Sequence, residues 1–197
     1  MEDMMEEQPE GTVSIDSCAF PFDIIGQGLE DIKASLGQLP DFVNEELKEH
    51  KVSARYKDKH REAVEREVGK VVRKLEKLAL SCKLTKVMSA KIIEVLDARG
   101  IVAEDEWEQY IDTIEKDGEV LSAVCEVLRT DTLQVVEVAK GLVATVEDGA
   151  KGERERRGMG SSEVDWSALR AQMETLCGYL LGGSKRTTRS EFCHGHD

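Results

Sequence analysis

Long apolar runs are missing from this chain of 197 residues. No uncharged apolar stretch nears the roughly 20 residues that a bilayer crossing requires. The opening Met-Glu-Asp-Met-Met-Glu-Glu is acidic where a secretory leader is basic. We expect no membrane association. Aromatic residues supply 5% of the chain and there are 3 prolines, a palette unsuited to β-sandwiches and barrels and suited to helices. The five cysteines, Cys18, Cys82, Cys125, Cys177 and Cys193, are odd in number and widely spaced, which argues against a disulfide framework. Three of them fall on apolar helical faces, as buried thiols in a reducing cytoplasmic or nuclear compartment do.

Catalytic patterns are equally scarce. Gly26-Gln-Gly28 lacks the third glycine of a dinucleotide fingerprint and opens a helix. Gly178 to Lys185 resembles a phosphate loop only loosely and closes a helix, so its amides cannot cradle a phosphate. Asp97 to Glu108 has Val102 where a calcium loop needs glycine. Cys193, His194 and His196 offer soft ligands with no second Cys/His pair nearby, and belong to a polar tail. No nucleophile elbow and no HExxH spacing exist, so neither enzymatic activity nor a cofactor is expected.

What the chain does have is charge, set out in blocks. Its net charge is -13, yet residues 51 to 91 hold 13 basic and 5 acidic side chains. Residues 92 to 148 hold 4 basic and 15 acidic ones. A basic stretch inside an acidic protein calls for an acidic partner, and the nearest one lies in the same chain.

Apolar residues recur at alternating spacings of four and three, the seam of packed helices. Ile25, Leu29, Ile32, Leu36 and Leu39 predict a first helix stopped by Pro40, and a short helix follows from Asp41 to His50. The basic stretch carries Val64, Val68, Val71, Leu75, Leu78, Cys82 and Thr85. Beyond Ser81 its apolar face drifts to Leu84, Met88, Ile92 and Leu96. An unbroken helix from Ala54 to Ala98 would span about 65 Å at ~1.5 Å per residue. Either a break near Gly69 or Ser81 or an elongated molecule is therefore expected.

Trp107, Ile111 and Ile114 predict a short helix capped at Asp117-Gly118. The acidic seam follows, with Leu121, Cys125, Leu128, Thr132, Val135, Ala139, Leu142 and Val146, widened by Val120, Val124, Val127, Val136 and Val143. The basic and acidic seams share one register, and two arrangements satisfy them: a hairpin within one chain, or pairing between chains. Phe20 and Phe22 precede the first helix and are expected to pack on the core.

The expected fold is all-α: a helical bundle or elongated, coiled-coil-like antiparallel helices with disordered N- and C-terminal tails. Residues 1–13 read as an acidic tail, 14–148 as the helical core and 149–162 as a glycine-rich linker. Residues 163–182 read as a last amphipathic helix, started by Ser162 and Asp165 and ended by Gly182-Gly183, and 183–197 as a polar tail. The function expected is a non-enzymatic adaptor or assembly subunit working through coiled-coil contacts with a protein partner or with itself. The residues expected to carry it are Arg66, Lys70, Arg73, Lys74 and Lys77 on the basic face, and Trp166, Met173 and Leu180 on a detachable last helix. For the last three, ordinary core packing is the competing account. The alternative function is nucleic-acid or other polyanion binding through residues 51–91, which the interspersed carboxylates and the scarcity of aromatics disfavour.

Overall fold

A computed structural model describes residues 20–49, 54–98, 104–158 and 166–182. Those residues form five helices: α1 (Phe22–Gly37), α2 (Leu39–Glu49), α3 (Ala54–Asp97), α4 (Glu104–Arg157) and α5 (Ser167–Gly182). They contain no strand, so among the described residues the chain is an all-α bundle. Both expected tails lie outside the described residues.

Helix α1 buries Phe22, Ile25, Leu29, Ile32 and Leu36, the face its spacing predicts. Ahead of it Phe20 is buried too, its ring 4.8 Å from that of Phe22. The helix ends at Gly37, earlier than the sequence suggested, and Leu39 belongs to α2. Pro40 explains the break, because its ring would clash with a carbonyl in a helix interior but is tolerated in a first turn. The Asp41 and Phe42 amides instead donate to the Gln38 carbonyl.

Helix α3 runs unbroken through Gly69 and Ser81, so the elongated alternative is the one realised. Its 44 residues span about 66 Å at ~1.5 Å each. The predicted seam from Val64 to Thr85 is buried at every position. The drift expected beyond Ser81 holds in part: Ile92 is buried and Met88 and Leu96 pack against the core, whereas Leu84 is 63% exposed and Ser89 is buried in its place. Thr85 can stay buried because its hydroxyl donates to the Ser81 carbonyl at 2.8 Å.

Two further corrections concern α4. Gly118 does not cap a short helix, since α4 is continuous over 54 residues. Ile114 and Leu121 are buried one heptad apart on either side of it, and a helical glycine costs only ~1 kcal/mol relative to alanine. Nor does a linker begin at Gly149, because the helix continues to Arg157 and stops at Gly158, where φ is +65°. That left-handed conformation suits glycine, and the Gly158 amide closes the last turn on the Glu155 carbonyl at 3.2 Å. The predicted start of the last helix at Ser162 and Asp165 falls outside the described residues, and the described helix α5 begins at Ser167.

Four helices form a ring in which α1 packs on α3, α3 on α4, α4 on α5 and α5 on α1, with the diagonals barely touching. Every neighbour is antiparallel. Asp23 pairs with Lys86 and Glu30 with Lys83 between α1 and α3, and Cys82 lies beside Cys125 between α3 and α4. Arg170 pairs with Glu147 between α5 and α4, and the Ser35 hydroxyl donates to Gln172 between α1 and α5 at 3.1 Å. Helix α2 lies against α3, and Phe42 meets the Trp166 ring edge-on at 5.5 Å. The two long seams thus meet within one chain, as a hairpin whose open side the short helices leave uncovered.

Candidate partner-binding groove

On that register, residues 67–77 of α3 lie against residues 135–145 of α4. The cleft between them has a volume of about 650 Å³. Its base is apolar, from buried Val71 and Val135 and half-buried Leu142, while Val138 stands exposed at the α4 edge and Thr145 also lines it. Its α3 wall carries Lys70, Arg73, Lys74 and Lys77, with Glu67 as the one carboxylate. Four of the five basic residues singled out from sequence thus converge on one groove. The fifth, Arg66, is exposed beside it, 3.8 Å from Glu67.

The basic face does not pair with the acidic helix as its block charge suggested. Among the described residues, the lysines and arginines of α3 pair within α3, as Arg61–Glu65 and Lys70–Glu67 do at 2.8 Å, or with α1. Lys86 reaches Asp23 at 2.6 Å and Lys83 reaches Glu30 at 4.0 Å. The acidic counterpart for the C-terminal half of α3 is therefore α1. Arg73, Lys74 and Lys77 make no ion pair with a described residue, and α4 meets α3 through its apolar seam. Lys70 hydrogen-bonds Glu67 and holds that carboxyl below its usual range. The pair is exposed, so it offsets little of the wall's positive charge.

The second expected set lies elsewhere. Met173 and Leu180 are buried in the bundle core together with Leu169 and Leu176, and Trp166 is half-buried against Phe42. Core packing is the arrangement these residues adopt. Gly28 lets α5 approach α1 closely: a Cβ there would stand 3.0 Å from the Leu176 Cδ1.

Sequence reasoning missed Val138, which is 51% exposed on the α4 rim of the groove. Its signal was an apolar residue off the acidic seam. The residues expected to widen that seam divide: Val136 and Val143 are buried, whereas Val120 and Val127 are exposed where no described helix covers α4.

Among the described residues no group of His, Cys, Asp and Glu is placed to hold a metal, and no helix is long and apolar enough to cross a membrane. Cys193, His194 and His196 lie outside the described residues. Comparison with protein-family models, with curated proteins and with solved structures gives no match to this chain.

Proposed function

We propose that this protein is a non-enzymatic helical adaptor or assembly subunit, acting through protein–protein contacts on its helix surfaces. The observation that carries this reading is the α3–α4 groove. A basic wall beside exposed Val138 and half-buried Leu142 is left uncovered by the described helices, and a binding surface combines apolar anchors with charges that choose the partner. The thiols of Cys82, Cys125 and Cys177, none in a disulfide, support a reducing setting, cytoplasm or nucleus.

Cross-linking in the native cell followed by mass spectrometry tests it, with light scattering of the purified chain alongside. The reading expects lysines of the described helices linked to another polypeptide or to a second copy. A strictly monomeric protein with only intrachain links would sink it.

Polyanion binding by the same wall is the second reading, favoured by Arg73, Lys74 and Lys77, which lack ion-pair partners among the described residues. Phosphate contacts make no use of the valine floor. A gel shift with a 30-nucleotide single strand at low salt, abolished by Arg73→Glu with Lys77→Glu, would favour this reading, and no shift at low salt would end it.

A further inference from the structure

We propose that the α3–α4 groove seats one amphipathic helix of a partner protein, apolar along its inner seam and acidic where it passes Lys70 to Lys77. This rests on the adaptor reading and names the chemistry of the partner.

Shape argues for a helix. Val138 is exposed and Leu142, four residues on, is half-buried along α4, above the buried Val71 and Val135. That spacing is one turn of helix, the interval at which an incoming helix presents its own apolar ridge. An extended peptide would gain nothing comparable. Strand addition needs unsatisfied backbone groups at a sheet edge, and both walls here are helices whose amides and carbonyls are already used internally.

Charge argues for acidic flanks. Lys70, Arg73, Lys74 and Lys77 stand within two helical turns, about 10.5 Å at ~1.5 Å per residue. Among the residues lining the groove Glu67 is the one carboxylate, and it is held by Lys70. Charges of this kind at the edge of a seam select partner and orientation more than they add affinity.

The surface also continues beyond the groove. Lys70, Lys77 and Leu84 lie seven residues apart on a single stripe of α3, and Leu84 and Val87 are exposed. On α4 the stripe of Val138 continues to Val127 and Val120, both more than half exposed. A partner helix following the hairpin passes from the basic section onto one that exposes Leu84, Val87, Val127 and Val120, with Asp131 on the α4 stripe between Val138 and Val127, so its acidic residues gather toward the end at Lys70 to Lys77.

The test uses the full chain and three fluorescein-labelled 24-residue peptides, read by anisotropy at about 0.15 M salt, where surface charges beyond roughly 8 Å are screened. One has a leucine seam flanked by glutamate, the second the same seam flanked by lysine, and the third the glutamates with serine in place of leucine. The leucine–glutamate peptide is expected to bind at least tenfold tighter than either control. Lys74→Glu with Lys77→Glu should weaken it at least tenfold and Val138→Asp severalfold, with the circular dichroism of each variant unchanged. Equal binding of the lysine-flanked peptide, or unchanged binding by folded variants, overturns the proposal. Equal binding of the serine peptide, or of a 30-nucleotide single strand, overturns it in favour of a polyanion surface. If the peptides fail while native cross-links join another polypeptide elsewhere on the chain, the groove is refuted and the adaptor reading stands. Peptide binding without any intermolecular cross-link supports the groove and counts against the adaptor reading.

Discussion

Leu75 and Leu84 sit nine residues apart on α3, and the pattern of the sequence placed both on its packed face. Leu75 is fully buried and Leu84 is 63% exposed. Truncating Leu75 to alanine removes buried methyl groups and leaves a cavity among close-packed neighbours, for which about 2–5 kcal/mol is the usual loss. A chain of this size loses roughly 2–4 °C of melting temperature per kcal/mol. We therefore expect Leu75→Ala to lower the midpoint by about 4–20 °C. Leu84→Ala loses little burial and gains slightly in helix propensity, so its effect should stay within about 0.5 kcal/mol. Thermal unfolding followed at 222 nm, with urea denaturation as a second measure, reads both variants. Losses equal within about 0.5 kcal/mol would refute the face assignment and with it the exposed stripe that extends the groove.

Thr132 is fully buried with no hydrogen-bond partner for its hydroxyl among the described residues. Thr132→Val should therefore raise stability by about 1 kcal/mol, and a loss in urea titration would show that the hydroxyl is satisfied. Gly141 is exposed within α4 and a Cβ there meets nothing within 4 Å. Gly141→Ala should add about 1 kcal/mol through helix propensity, and an unchanged midpoint would argue that this turn is not helical in solution. Burial, with the neighbouring Cys125 adding to it, pushes the Cys82 thiol from 9.0 up to about 11. The raised value means that its contribution to stability is complete below pH 9 and declines as pH rises toward 11. In a Cys18→Ser, Cys193→Ser background, Cys82 should react with a disulfide reagent at pH 8 far more slowly than half-buried Cys177. Comparable rates would contradict the burial.

How much could be read from the chain differs from element to element. Both long seams were visible because a helix in a bundle must bury an unbroken stripe, and valine, leucine and cysteine at spacings of four and three mark it. Beyond Ser81 the reading failed at Leu84, because Ser89 occupies a buried position while the more apolar Leu84 faces out. Hydrophobicity alone could not separate them. Gly118, Gly149 and Gly152 looked like stops, yet each costs only ~1 kcal/mol in a helix. Burial on both sides of Gly118 outweighs that, and Gly158 takes the one left-handed conformation that ends α4. The basic half of the groove was legible as a run of lysine and arginine. Its apolar half was not, because Val138 becomes a groove residue only once α3 lies alongside α4.

By itself the sequence determined the helical class, the faces from Ile25 to Leu36, Val64 to Thr85 and Leu121 to Val146, and the reversal of charge between the two long helices. These are local properties, set by periodicity and composition along one element. Only the tertiary structure decided that the long seams close within one chain, that α1 supplies carboxylates to α3, and that Met173 and Leu180 pack at home. Burial and ion pairing depend on which elements come to lie side by side. Once α1 and α5 cover one side of the hairpin, the other is left with uncovered valines and with Arg73, Lys74 and Lys77, which meet no carboxylate among the described residues.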